Sequence, residues 1–279
     1  MLNLMMNKLK SWLIKNVNSR YLELISKRGI SITKTPLKGS VVSDLFPLRI
    51  EDNWNTFFEL LNYQQILNPE DQNIECVTVE IKFYDKEGIF LKTHKIKTNN
   101  KLKQTLNLKE ISNQLGINND GVFVVFHQND TPWISEQKSF LAERGYIGYE
   151  NKELGYIKSF IHGNLDAISK QKNGKEILLG NSSFFNKEYH LQHEFSYNFT
   201  YELFFVNATN KSLQFKIIER RLTNDKLTVF EIPPRGIKSF KRIPIKNMEK
   251  TKIIIKSKLY MARPVVFKYM ETSFDVFHG

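Results

Sequence analysis

The chain states one strand pattern twice. Residues 56–62 read Thr-Phe-Phe-Glu-Leu-Leu-Asn and residues 201–207 read Tyr-Glu-Leu-Phe-Phe-Val-Asn, each an apolar run closed by an asparagine. In each copy an alternating strand follows, then a charged turn, a second strand pair and a closing run, Gly121–His127 in the first and Ala262–Lys268 in the second. Val77, Val79, Ile81 and Phe83 alternate with Thr78, Glu80, Lys82 and Tyr84, the period of a strand with one buried face. Asp85-Lys-Glu-Gly88 is a hairpin signal, and Pro233-Pro-Arg-Gly236 takes in the second copy the place of Thr98–Lys101 in the first. A repeated run of strands predicts a mainly β fold of tandem antiparallel β-sandwich units.

Four segments are expected. Residues 1–29 form an amphipathic helix, with Leu2, Met5, Leu9, Leu13, Val17, Tyr21 and Leu24 on one stripe and Gly29 as its cap. Residues 30–127 make the first sandwich unit, including a short helix over Lys109–Leu115 that Gly116 stops. Residues 128–196 are an insert rich in aromatic and histidine residues. Residues 197–279 make the second unit and a C-terminal tail, with strands at Glu202–Val206, Leu213–Arg220, Leu227–Ile232, Ile237–Ile243, Ile253–Leu259 and Pro264–Tyr269.

Composition narrows the class. A hydrophobic fraction of 41% supplies real cores. The single cysteine, Cys76, allows no intrachain disulfide and no multi-cysteine metal site, and it fits a reducing compartment such as the cytoplasm. No run of about 18 apolar residues marks a membrane-spanning helix. Lys8 and Lys10 follow the apolar start too closely for a signal peptide. The net charge of +12 is uneven: residues 1–38 carry eight Lys/Arg against one Glu, and residues 205–270 carry sixteen against four acids. Such blocks attract polyanions, and they also arise on solvated strand faces, as the alternation Lys252-Ile-Ile-Ile-Lys256 suggests.

Glu202 through Asn207, the Leu213–Ile218 strand, Ile232-Pro-Pro-Arg-Gly-Ile-Lys238, Ser257 and Pro264-Val-Val266 together resemble the β-sandwich of the sensory rhodopsin transducer family. The resemblance covers residues 200–270, with a fainter echo over 56–127. It implies small antiparallel sandwiches that associate and bind partners or small ligands.

Residues suited to a binding site lie outside the repeat. His162-Gly163-Asn164 follows an expected strand; its glycine lets backbone approach a ligand, and His162 and Asn164 offer donors and acceptors for sugar hydroxyls. Tyr146 and Tyr149, with Arg144 beside them, could stack on sugar rings. At the C-terminus Asp275 and His278, with Arg263, form a second group. The insert and the C-terminal tail are expected to meet, so that both groups line one cleft. His190 and His193 have an H-x-x-H spacing, but on extended chain their rings point apart, so no metal is assigned. There is no G-x-S-x-G elbow, phosphate loop or dinucleotide fingerprint, and no cofactor is expected. The sequence therefore reads as a non-catalytic binding protein for a glycan or a protein partner. Two alternatives stand beside it: an enzyme on a saccharide using His162, Asp275 and His278, and a binder of polyanions. Peripheral membrane contact through residues 1–28 and self-association belong to the same expectation. Nucleic acid is disfavoured, since no recognised motif backs the charge.

Overall fold

A computed structural model of the chain describes residues 32–33, 41–43, 45–62, 66, 78–98, 101–127, 145–155, 157–162, 168–170, 174–179, 182–196, 198–221, 224–243, 251–259 and 263–279. The expected helix over 1–29 lies outside these residues.

The described chain is mainly β. It opens with β1 (Ile32–Thr33) and β2 (Val41–Ser43). A set of eight strands follows: β3 (Leu45–Leu48), β4 (Trp54–Leu61), β5 (Thr78–Asp85), β6 (Phe90–Lys97), β7 (Lys103–Asn107), β8 (Gly121–His127), β9 (Gly145–Asn151) and β10 (Ile157–His162). Between β7 and β8 lies helix α1 (Leu108–Gln114). After β11 (Ile168–Lys170) and β12 (Glu176–Leu179) comes a second set of eight: β13 (Ser182–His190), β14 (Thr200–Val206), β15 (Leu213–Arg220), β16 (Lys226–Ile232), β17 (Ile237–Arg242), β18 (Lys252–Leu259), β19 (Val265–Tyr269) and β20 (Phe274–His278).

The two sets share one topology. In the first, sheet I runs β3-β8-β5-β6 and sheet II runs β10-β9-β4-β7. In the second, sheet III runs β13-β18-β15-β16 and sheet IV runs β20-β19-β14-β17. Strand for strand these are the same arrangement, and every pairing within the four sheets is antiparallel. The duplicated asparagine has the same role in both. Asn62 N–H donates to Leu102 O and Asn207 N–H donates to Gly236 O, each at 2.9 Å and each to the residue just before the fifth strand of its set. Asn207 is fully buried, and its Nδ2 donates to the carbonyls of Lys211, Ile232 and Pro233.

Alternation places the cores. Val79, Ile81 and Phe83 of sheet I meet Phe58, Leu60 and Ile147 of sheet II in one buried cluster. Phe215, Ile217, Ile253 and Ile255 of sheet III meet Leu203 and Phe205 of sheet IV in another. Each such side chain contributes about 1.5–3 kcal/mol. A small sheet, β1-β12-β11-β2, brings Ile168 onto the outer face of sheet I against Val122, Val124 and Phe126. Sheet IV in turn closes the side of the first set: β20 runs beside β10, and β14 beside β3. Val265, Phe267, Phe274 and Val276 thereby join the first cluster, with Phe267 4.8 Å from Tyr149 and 5.4 Å from Trp54 by ring centroid.

The strand pairing corrects two expectations. Residues 145–162 are not part of an insert: β9 pairs with β4, and β10 with β9, completing sheet II. The glycines of Gly145-Tyr-Ile-Gly-Tyr149 suggest a loop, but the Phe160 ring lies over Gly148, where a Cβ would sit 2.3 Å from a ring carbon. The run matching Gly121–His127 is Lys252–Leu259, not Ala262–Lys268. β8 and β19 look alike in sequence because each is buried on both faces, Phe123 and Val125 opposite Val122 and Val124, and Val265 and Phe267 opposite Val266. Both therefore carry a Val-Val-Phe run without alternation.

Candidate functional site

Edge strands β10 and β20 belong to different sets and meet along one seam. Ser159 Oγ donates to Asp275 Oδ1 at 3.2 Å, and Val276 N–H donates to Ser159 Oγ at 3.0 Å. Further along the seam, His278 Nε2 lies 2.6 Å from the carbonyl oxygen of His162. A carbonyl only accepts, so Nε2 carries the proton. The two imidazole rings are 5.0 Å apart by centroid. Burial pulls the His278 pKa below its ordinary value of 6.5; the His162 carbonyl opposes this, and the His162 and Arg263 charges reinforce it. His278 is thus poised as a neutral ring whose Nδ1 is buried.

Register adds Tyr146 to the group. It stands directly opposite His162 across the β9–β10 pair, on the same outward face. Tyr146 is 39% exposed and Phe160, two residues before His162, is 43% exposed, so two aromatic rings face solvent on adjacent strands. Lys158 Nζ sits 4.4 Å from the ring centroid of Phe57 on that face. The fold therefore brings together His162, Tyr146, His278 and Arg263. Asp275 lies nearer Ser159. Tyr149, expected in the same cleft, is fully buried and donates its hydroxyl to Pro47 O at 2.9 Å. As an inward residue of β9 it is core, because Tyr146 and Tyr149 are an odd number of positions apart on one strand. Arg144 and Asn164 lie outside the described residues.

His190 and His193 part company. His190 is exposed beside Glu188, whereas His193 packs against Phe277 at 4.5 Å and Phe195 at 5.1 Å.

A second concavity was not foreseen in the sequence. It is a cavity of about 300 Å³ between the two sets, and Arg49 lines it. Arg49 is 9% exposed, and its guanidinium stacks on Trp54 at 3.8 Å, Phe267 at 4.6 Å and Phe204 at 4.9 Å. Its Nη1 donates to Tyr269 Oη, which donates to Glu202 Oε2, both at 2.8 Å. Burial pushes the Tyr269 phenol well above its ordinary range. Glu202 was the legible signal, an acid on the Glu202-Phe204-Val206 face of an otherwise apolar strand. Arg49 follows β3 in irregular chain and has no periodic context.

Comparison with protein-family models, with curated proteins and with solved structures gave no match.

Proposed function

We propose that the chain is a non-catalytic binding protein of two tandem antiparallel β-sandwiches, working in the cytoplasm, and that it takes a glycan on the outer face of sheet II where β10 meets β20. The observation that carries this reading is the pair of exposed rings, Tyr146 and Phe160, beside His162 and the seam histidine His278. Flat aromatic faces pack on the C–H faces of sugars, and imidazoles exchange hydrogen bonds with hydroxyls.

The enzyme reading is weaker. A histidine base needs an orienting partner. Asp275 is engaged with Ser159 and the backbone of Val276, and His278 Nδ1 has no hydrogen-bond partner among the described residues. A polyanion is also less well served. On the outer face of sheet III Lys216 opposes Lys256 and Arg220 opposes Lys252, but Glu188 pairs with Lys256 and Asp225 with Arg220.

A glycan array probed with the full chain tests the proposal. Retention of a saccharide class is expected, with Tyr146→Ala and His162→Ala each lowering affinity about tenfold. Their stability should stay within about 1 kcal/mol of the parent, as at other exposed positions. A blank array, or variants that bind as the parent does, would overturn the reading.

A further inference from the structure

The cavity above Arg49 has a chemistry of its own, independent of the seam. Its wall is built where two turns meet. The hairpin turn Asp85–Gly88 docks on the Pro233–Gly236 turn, and Ile237 N–H donates to Lys86 O at 3.0 Å. Leu48, Phe204 and Ile237 supply an apolar surface, and Arg49, Asp120 and Glu202 supply charge.

Those three charged groups are held rigidly and are incompletely used. Arg49 N–H donates to Thr56 Oγ1 at 2.9 Å, and that hydroxyl donates back to Arg49 O at 2.7 Å, which fixes the residue from its backbone. Among the described residues its guanidinium makes one hydrogen bond, from Nη1 to Tyr269, and Glu202 Oε2 lies 3.5 Å from Nη1. Nη2 and Nε have no hydrogen-bond partner among the described residues, and Nε is buried. Glu202 uses Oε2 for Tyr269 and leaves Oε1. Asp120 uses Oδ1 for the backbone N–H groups of Ile50 and Glu51, and its Oδ2 lies 4.0 Å from Lys86 Nζ. The two lysines at the rim are already engaged, Lys86 by Glu51 and Lys238 by Glu87. The lining thus offers one fixed cationic donor and two fixed anionic acceptors beside an apolar surface, with net charge near balance.

We infer that this cavity binds a small zwitterion, an α-amino acid with an apolar side chain. Its carboxylate would take Arg49, its ammonium would take Glu202 and Asp120, and its side chain would lie on Leu48, Phe204 and Ile237. Charge-assisted hydrogen bonds in a partly dry site are about twice as strong as neutral ones, so both charges contribute to recognition. The volume is ample for one amino acid.

Titration calorimetry on the full chain decides the matter with four probes: L-leucine, N-acetyl-L-leucine without the ammonium, L-leucinamide without the carboxylate, and glucose as a neutral solute of similar size. Saturable leucine binding is expected, with each capped form at least about tenfold weaker and glucose inert. Glu202→Gln should reproduce the loss seen with N-acetyl-leucine. Since that change also touches buried Arg49, Ser239→Trp provides a second variant: Ser239 is exposed, lines the cavity opposite Phe204 and makes no hydrogen bond to Arg49 or Glu202, so an indole there takes the space of the ligand's side chain and should abolish leucine binding without lowering the melting temperature. No heat with leucine, capped forms or glucose binding as tightly as leucine, or full affinity in Ser239→Trp would each overturn the inference.

Discussion

The charged and polar residues that matter most here are buried by aromatic rings rather than by ion pairing alone. Arg49 illustrates one extreme, a guanidinium stacked by three rings. His193 illustrates another. Its ring packs against Phe195, Tyr201 and Phe277, and its Nε2 is buried without a hydrogen-bond partner among the described residues. Burial holds its pKa below the ordinary 6.5; the Lys268 charge adds to this, while Asp275 and Glu194 oppose it. The consequence for stability follows from linkage. The unfolded chain, with the higher pKa, takes up protons first as pH falls. The contribution of neutral His193 is therefore complete above pH 6.5 and is lost as pH falls through the lower folded value. His278 is depressed in the same direction. Melting temperature should decline between pH 7.5 and 5, and His193→Phe, which keeps the ring and removes the titration, should flatten that decline. An unchanged decline in this variant would show that other groups carry it.

At the scale of elements, legibility tracked burial on one face. β15, with Leu213, Phe215 and Ile217 inward and Gln214, Lys216 and Ile218 outward, alternates and was placed to the residue. β5 and the Lys109–Leu115 helix were found for similar reasons; the helix begins one residue earlier, capped by Asn107, whose side chain accepts from Glu110 N. β8 and β19 were recognised as strands but misaligned, because double burial removes the alternation that would distinguish them. β9 hid behind its glycines, which are covered from the neighbouring strands, Gly145 by Phe58 of β4 and Gly148 by Phe160 of β10. Of the site, His162 and His278 were legible from the segments that carry them, and the repeat led to the expectation that they meet; they do, through the edge-to-edge contact of β10 and β20. The two turns were both legible, though not their docking, and this docking can be measured. Gly88 and Gly116 both have positive φ, +81° and +74°. A Cβ on Gly116 would meet nothing, whereas one on Gly88 would lie 1.7 Å from the carbonyl oxygen of Pro234. Gly116→Ala should therefore cost about 1 kcal/mol, the left-handed backbone penalty alone. Gly88→Ala should cost clearly more, on the order of 2–4 kcal/mol, because backbone must move. Equal costs in urea denaturation would mean that the turns do not bear on one another.

The whole molecule is more than two copies of one unit placed in a row. Two identical topologies would allow independent halves, but the apolar surfaces argue otherwise. Sheet IV buries both faces, one toward sheet III and the other toward the first set, where Phe267 and Phe274 pack edge-on against Trp54 at 5.4 and 5.0 Å. Arg49, Glu202 and Tyr269 form their hydrogen-bonded chain across the same contact. Separating the halves would expose this aromatic face and leave Arg49 only Trp54 of its three rings, so neither half has a complete surface alone. Both proposed sites also lie on this junction, one at the β10–β20 seam and one above Arg49, and their geometry is fixed by the docking. Differential scanning calorimetry should accordingly give a single cooperative transition for the described β structure. Trp54→Ala removes the ring that both Arg49 and Phe274 rest on and should lower that transition by roughly 3–5 kcal/mol. Two separated transitions in the parent, or a Trp54→Ala variant in which one half melts early while the other keeps its parent temperature, would mean that each half is stable by itself and that the junction only joins them.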